Sequence, residues 1–529
     1  MRHILTIAAL VILFHLPATA LHAVGAPATP ARPNVVIILA DDLGYGDVQG
    51  YNPQRGKIPT PSMDRLCVQG MRFTDGHSSS GVCSPSRYTL LTGRYHWRTR
   101  LQSGIVGVFG APLIAPDRLT IADLAKRHGY RTACIGKWHL GWDWPVEPAQ
   151  RALLQGARRK GKDDEAPIAD AAHMAAWQGV FSQPIPGGPT TRGFDEYFGT
   201  DVPNWPPYCF IENNRTMGIP SEFLPRHLLG GPEHLASLPG PAVKDWKLDA
   251  ILPALGDRAC ATIDRWAKTK EPFLIYMPLT SPHEPLAVNK PWRKKSGLNL
   301  YADFVMETDA VVGRVLEALD KAGVSDNTLV IFTSDNGKAS YTGAADLEKM
   351  GHYSSGPLRG YKTSVYEGGH REPFVVRWPG MVKPGSMCGQ LVHHADILAT
   401  LAAILGDALP ASAGEDSFSL LPLFKGSDQA VRGNAVSCAA NGTPGLRMGE
   451  WKYVANPRPE LYNLAEDIGE AKNLAADKPE LVEQMKMLLE KIIREGRSTP
   501  GEPQKNDVVV RRFPNQNASA KTRTKKARQ

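Results

Sequence analysis

The sequence predicts an α/β protein: a sheet whose strands are buried on both faces, helices packed against it, and a small α+β subdomain after it. Three observations predict this. Five short apolar runs, NVVIILA (34–40), YRTACIG (130–136), PFLIYMP (272–278), TLVIFTS (328–334) and PFVVRWP (373–379), are rich in β-branched and aromatic residues and hardly alternate. Strands covered on both faces read this way. Between them, LTIADLAKRHG (119–129) and ADFVMETDAVVGRVLEALDKAG (302–323) carry helical spacing and end in glycine, which accepts the left-handed turn at a helix C-terminus. Beyond residue 410 the texture changes: GLRMGEWKYVANPRPELYNL reads as short strands with turns, and KPELVEQMKMLLEKIIREG as an amphipathic helix.

In chain order, Arg2 and His3 precede an apolar run from Ile4 to Leu16. It is shorter than the ~20 residues a membrane span needs. Ala18-Thr19-Ala20 then gives a small-residue cleavage pattern, so residues 1–20 are expected to be an export signal leading to a periplasm or the outside. Residues 27–410 are expected to form the main domain, 411–495 the subdomain, and 496–529 a basic, solvated and disordered tail. Stretches 145–190 and 200–245 are rich in Pro, Gly and Trp and are expected as surface insertions. With 42% apolar residues in 529, a large core is within reach. The formal charge of +8 is uneven: Lys521, Arg523, Lys525, Lys526 and Arg528 supply five and Arg2 one, leaving the body near neutral. Neither nucleic-acid binding nor stable membrane insertion is expected. Seven cysteines, sparse and without a CxxC, exclude a zinc ribbon or a disulfide-dense scaffold. Their odd number leaves at least one outside any intrachain pair in an oxidising compartment, and Cys83 is the candidate.

The strand ends carry the chemistry. NVVIILADDLGYGD ends in Asp41-Asp42, TLVIFTSDNG in Asp335-Asn336, YRTACIGKWHLG in Lys137 and His139, and PFLIYMPLTSPHEP in His283. Ligands of open α/β sheets collect at such ends. Either acidic pair alone would pass as a turn or a helix cap. Together, three carboxylates and an amide repel unless a cation neutralises them, and an oxygen-only set suits Ca²⁺, with Mg²⁺ second and zinc excluded.

In GVCSPSRYTLLTGR, Pro85 suits the first helical position and the helix continues through SRYTLLTGRY. Cys83 is then expected at the positive end of that helix, with Arg87 reaching back on the same side. A thiolate would be activated there. A thiolate attacking a sulfuryl or phosphoryl centre, however, forms an adduct with no easy exit. A cysteine oxidised to an aldehyde avoids this: one hydroxyl of its hydrate attacks, and the other expels the group by re-forming the carbonyl.

CSPSRYTLLTGR resembles the C-x-P-x-R-x₄-T-G-R signature of type I sulfatases, in which that cysteine becomes formylglycine. RPNVVIILADDLGYGD, GKWHLG, SDNG and LRGYKTSVYEGGHREP resemble the family's other landmarks, in the family's order. ELYNLAEDIGEAKNLA resembles its C-terminal signature, with DIGE where a proline often stands, and the likeness spans residues 32–480. The resemblance implies an alkaline-phosphatase-like fold, with a large, mostly parallel or mixed β-sheet between helices and a small C-terminal α+β subdomain. It implies that Asp41, Asp42, Asp335 and Asn336 hold calcium together with the modified Cys83. Arg87 would steady the formylglycine hydrate, Lys137 and Lys362 would clamp sulfate oxygens, His139 would assist deprotonation and elimination, and His283 would protonate the leaving oxygen. A formylglycine-generating enzyme is implied during maturation.

The walls of the pocket decide the substrate. Trp142, Trp144, Trp205 and Tyr208 are candidates to stack on a sugar ring or a lipid headgroup, and Asp201, Asn204 and His352 to bind hydroxyls. Ordinary loop packing is the competing explanation for each. The expected activity is release of sulfate from an O-sulfated substrate, a sulfated carbohydrate attacked at a chain end. The alternatives are a phosphodiesterase or phosphonate monoester hydrolase of the same superfamily, or a non-catalytic polyanion-binding protein with Cys83 unmodified.

Overall fold

The computed structural model describes residues 32–154, 169–229 and 237–511. The expected export signal at 1–20 lies outside the described residues. The main sheet has ten strands: β1 (Asn34–Ala40), β2 (Met71–Phe73), β3 (Arg131–Lys137), β4 (Glu196–Thr200), β5 (Ile211–Glu212), β6 (Arg215–Thr216), β7 (Phe273–Pro278), β8 (Thr328–Ser334), β9 (Phe374–Arg377) and β10 (Ser386–Cys388). Their order is β10-β2-β9-β8-β1-β7-β3-β4-β5-β6. The centre β8-β1-β7-β3-β4 is parallel, and β9 runs antiparallel to β8 and to β2, so the sheet is mixed.

The uninterrupted apolar run of β1 buries both faces. Val35, Ile37 and Leu39 join the core under α2 (Cys83–Thr92), α3 (Ile121–Arg127) and α6 (Asp396–Leu405). Val36, Ile38 and Ala40 join the core under α1 (Pro61–Gln69), α4 (Ile251–Trp266) and α5 (Leu300–Lys321). Two side-chain directions with period two therefore feed two cores. The expected strands at 34–40 and 328–334 match residue for residue, and the other three differ at their ends by one or two residues.

The subdomain is a four-stranded antiparallel sheet, β11 (Asn434–Cys438), β12 (Pro444–Met448), β13 (Trp451–Val454) and β14 (Glu460–Asn463), covered by α7 (Pro479–Arg494). Buried ion pairs join it to the main domain. Arg447 meets Asp75 at 3.0 Å, and Lys452 lies 2.9 Å from Glu367 and 2.8 Å from Glu470.

The chain beyond 495 departs from the expected solvated tail as far as it is described. Residues 496–511 dock on the body. Asp507 accepts from buried Arg94 at 3.0 Å, and its N–H donates to the Arg98 carbonyl at 2.8 Å. Two buried arginines needing acceptors hold this segment, and hydropathy gives no sign of them. Residues 512–529 lie outside the described set.

Candidate active site

Register builds the site. Ala40 pairs with Ser334 in the parallel ladder, so the residues that follow emerge side by side: Asp41 and Asp42 beside Asp335 and Asn336. All four are buried. The Asp42 N–H donates to Asp335 Oδ1 at 3.2 Å, and Asn336 Nδ2 donates to Asp42 Oδ1 at 2.7 Å. From the end of β3, Lys137 Nζ reaches Asp41 Oδ2 at 2.7 Å. Gly136 makes this approach possible: at φ +143°, a Cβ there would sit 1.8 Å from the Pro278 carbonyl oxygen.

Helix α2 points its N-terminus at the cluster. Its first residue is Cys83, whose Sγ lies 3.6 Å from Asp41 Oδ1. Pro85 is the third helical residue, not the first as expected; it still lies in the turn where a missing N–H costs nothing. One turn on, Arg87 Nε and Nη2 grip Asp335 Oδ2 at 3.0 and 2.7 Å, and Nη1 donates to the Lys137 carbonyl at 3.0 Å. Lys362 Nζ meets Asp42 Oδ2 at 2.6 Å. His283 Nδ1 donates to the Glu284 carbonyl at 2.6 Å, which leaves Nε2 facing Asp42 Oδ2 at 3.7 Å. His139 Nε2 donates to the Val106 carbonyl at 3.1 Å, so Nδ1 carries the lone pair of the neutral ring, buried and without a partner. The six expected catalytic positions and the four expected metal-ligand side chains thus converge on one point.

Burial would raise the Asp41 carboxyl, but Lys137 first, then His283, Arg87 and Lys362, hold it well below the usual carboxylate range. Burial pushes the Cys83 thiol up to about 12, with Lys137 and Lys362 opposing. The expectation of an activated thiolate is therefore corrected. Burial thus favours the protonated thiol over the thiolate in the unmodified side chain.

The donor set fits a hard cation. Asp41, Asp42, Cys83 and His283 each offer an atom, all within 4.8 Å of one another, and Asn336 Oδ1 is buried with no hydrogen-bond partner among the described residues. An orphaned buried carbonyl oxygen among carboxylates is what an oxygen-ligated ion would satisfy.

The candidate substrate residues divide. Trp205 stands edge-on to the His139 ring at 5.3 Å, and Asp201 accepts from the His139 N–H at 3.3 Å; both border the site. Asn204 is buried in the same loop, its carbonyl accepting from the Leu238 N–H at 3.0 Å. Trp142 and Trp144 belong to the core, where Trp142 packs on Tyr197 and Trp144 on Phe109. Tyr208 is buried too, its hydroxyl donating to the Leu238 carbonyl at 2.6 Å. His352 is corrected as well. It is fully buried, with Nε2 2.8 Å from Asp47 Oδ1 and Nδ1 accepting from the Lys57 N–H at 2.9 Å. Asp47 in turn accepts from the Tyr301 hydroxyl, which also donates to the Asp42 carbonyl, so His352 braces the Asp42 turn from below.

Sequence reasoning missed Tyr341. It is 56% exposed and lies within electrostatic reach of Lys362, Asp42, Glu284 and Cys83. Its only signal was an aromatic residue six positions after Asp335. It also missed an apolar cavity of about 650 Å³ that begins two residues past His283, lined by Pro285, Leu286, Trp246, Leu228 and Leu300 with Arg293 at its wall.

Fold and site together define a class: an alkaline-phosphatase-like hydrolase whose centre is a buried cluster of carboxylates and ammonium groups facing a helix N-terminus. The Sulfatase family model matches residues 33–407. Over 491 residues the chain is 33% identical to an N-acetylgalactosamine-6-O-sulfatase of Bacteroides thetaiotaomicron, covering 87% of this chain and 93% of that one. It is 30% identical to human arylsulfatase A, with 89% and 90% covered. A solved structure from a study of glycosaminoglycan metabolism in B. thetaiotaomicron superposes with a TM-score of 0.73 at 30% identity, over 87% of this chain and 99% of that one. The phosphonate monoester hydrolase of Agrobacterium radiobacter, at a TM-score of 0.55 and 21% identity, shares the fold, covering 88% of this chain and 96% of its own. The chain belongs to the sulfatase family and is a sulfuric ester hydrolase.

Proposed function

We propose that this enzyme removes sulfate from the end of an O-sulfated saccharide after export, with Cys83 converted to formylglycine and Ca²⁺ held by Asp41, Asp42, Asp335, Asn336 and residue 83. The observation that carries the reading is the seat of Cys83: first residue of α2, 3.6 Å from an Asp41 carboxylate, beneath two converging ammonium groups. When bound, calcium supplies positive charge for sulfate oxygens, and formylglycine supplies a hydrate with one hydroxyl to attack and one to release.

The chain's own residues then have distinct work. Arg87, locked by Asp335 and by the Lys137 carbonyl, keeps a fixed positive charge behind residue 83. Lys137 and Lys362 lie on opposite carboxylates and so flank the position of a sulfate group, where their charge counts most as negative charge grows. His139 Nδ1 is a buried base with no hydrogen-bond partner among the described residues, suited to take a proton from a hydroxyl on residue 83. His283 Nε2, once protonated, can hand a proton to the departing alcohol oxygen. Relatives named for N-acetylgalactosamine-6-sulfate hydrolysis support a saccharide as the alcohol. Tyr341 supplies an exposed ring for it.

Sulfate release from a panel of defined sulfated saccharides tests the reading. Nitrophenyl sulfate runs beside the corresponding phosphate mono- and diesters, and faster turnover of a phosphate ester would replace it with the phosphonate or phosphodiester alternative. Mass spectrometry of the peptide holding Cys83 is expected to show a loss of about 18 Da on conversion. An unchanged mass in active protein would sink the nucleophile assignment.

A further inference from the structure

Two buried imidazoles face each other, His77 six residues before Cys83 and His370 eight after Lys362. Their Nδ1 atoms lie 3.1 Å apart and their ring centroids 5.3 Å. The centroid separation nearly equals the N–N distance plus the two ring radii, so the two nitrogens point head-on along one line.

The outer nitrogens are fixed by what they touch. His77 Nε2 lies 2.8 Å from Asp75 Oδ1. Burial would raise the Asp75 carboxyl, but Arg447 at 3.0 Å and Arg371 at 3.2 Å hold it well below the usual carboxylate range. An ionised carboxylate only accepts, so His77 Nε2 carries a hydrogen. His370 Nε2 lies 2.9 Å from the Val365 carbonyl, which also only accepts, so it carries one too. Lys452 Nζ is 3.3 Å from the same nitrogen, but it is drawn to Glu367 and Glu470 at 2.9 and 2.8 Å.

With both outer nitrogens protonated, two neutral rings would set lone pair against lone pair at 3.1 Å. Hydrogens on both Nδ1 atoms would set two N–H bonds head to head, and burial disfavours a charge on each ring. One proton satisfies both nitrogens: the N–H of one ring donates to the lone pair of the other. The pair then holds one positive charge, with Glu367 at 3.9 and 4.0 Å from its outer nitrogens. His77, His370 and Glu367 are also close enough together to suggest a metal site. An ion about 2.1 Å from each nitrogen would, however, need the lone pairs to converge at an angle. Glu367 is moreover already engaged by Lys452, Arg447 and Arg371.

The pair sits where catalytic segments meet. The Ser78 N–H donates to the His370 carbonyl at 2.8 Å and the Thr363 N–H to the Gly81 carbonyl at 2.7 Å, so the chain entering Cys83 runs beside the chain leaving Lys362. The Gly337 N–H donates to the Gly369 carbonyl at 3.1 Å, which ties in the turn after Asn336. We propose that His77 and His370 share one proton between their Nδ1 atoms, and that this charged hydrogen bond is a positioning clasp setting Cys83 and Lys362 at their working separation. Charged hydrogen bonds are stronger than neutral ones, and small displacements of reacting groups cost rate steeply. The effect on catalysis rests on the roles proposed above for Cys83 and Lys362; the shared proton does not.

Magnetic resonance of the full chain, isotopically labelled at histidine nitrogen, reads the proton directly. One Nδ1–H signal at lower field than an ordinary imidazole N–H is expected, with a single unprotonated nitrogen in the pair. Two unprotonated nitrogens, as when His370 Nε2 accepts from Lys452, or no such proton, overturns the proposal. On nitrophenyl sulfate, H370Q, whose amide matches the outer nitrogen and not Nδ1, is expected to lose about tenfold in kcat with KM within about twofold. H370N, whose amide matches Nδ1 and can donate to His77, is expected to recover most of that loss. Parental kcat in H370Q, equal losses in H370Q and H370N, or a change confined to KM overturns the positioning role. If H370Q does not fold, H77Q and H77N give the same comparison from the other ring, and the parent's proton signal stands apart from every variant. Full activity in C83A would defeat the nucleophile assignment and leave the proton measurement untouched.

Discussion

At the scale of single residues, the site holds two side chains on unusual backbone. Asp42 and His139 adopt φ of +63° and +53°, a left-handed conformation that costs a non-glycine residue about 1–2 kcal/mol. Such strain persists where neighbours over-determine it. The Tyr301 hydroxyl on the Asp42 carbonyl and the Asp201 carbonyl on the His139 N–H do so here. Lys137→Ala is expected to lower kcat by about 10²–10³-fold with little change in folding, because it removes charge that matters most in the transition state. A change confined to KM would show that Lys137 only binds. Asp201 gives a pH prediction. Burial first among its causes pushes its carboxyl up to about 6, above the 3.8 of a free aspartate. The folded form holds the proton more tightly, so its stabilising effect is full below pH 4 and is lost as pH rises through 6. Asp201→Asn is therefore expected to gain on the order of 2 kcal/mol over the parent at pH 7 relative to pH 4. Denaturant titrations at the two pH values decide; an equal difference at both refutes the assignment.

At the scale of elements, parallel register does the assembling. β1 and β8 deliver two acidic pairs at one level, β3 adds Lys137, and α2 closes from the side with Cys83 and Arg87. The subdomain sheet depends on a different device. Lys452 from β13 is buried between Glu367 and Glu470, next to His370 at 3.3 Å. Removing one member of such a group strands the others, which costs about 3–5 kcal/mol. Lys452→Met is expected to lower unfolding stability by that amount, measured in denaturant, while the Cys83 peptide still converts. Undiminished stability would mean the contact is incidental. The main strands and helices were legible in sequence because a fully apolar strand and an amphipathic helix each leave a periodic trace. The chain from 496 to 511 was not, since it is held by Arg94 and Arg98, whose partners lie some 400 positions away.

At the scale of the whole molecule, the proposed cation site would tie the carboxyl ends of the central strands together. Calcium is expected to raise Tm and chelation to lower it, with activity lost in parallel, because an ion that binds only the folded form stabilises by mass action. Unchanged Tm and rate after exhaustive chelation would remove the metal from the mechanism. Tyr341→Ala is expected to raise KM for saccharide sulfates several-fold and to leave nitrophenyl sulfate hydrolysis near the parent rate; equal effects on both would place the ring in folding and not in recognition.

The chain by itself determined the α/β class, the principal strands, and the residue types gathered at their ends. Each of these depends on local pattern: apolar runs, helical spacing, and acids or bases where a strand stops. Tertiary structure alone decided which aromatic residues are walls and which are core. Trp142, Trp144 and Trp205 read alike in a Pro- and Gly-rich stretch, and all three are buried; yet Trp142 and Trp144 join the core over the sheet, while Trp205 packs with Val202 and Leu238 and against His139. It also decided that His352 braces Asp42 and that residues 496–511 come home beside Gln102. Those outcomes depend on what lies opposite a side chain after folding, and a linear pattern carries no record of the partner across the fold.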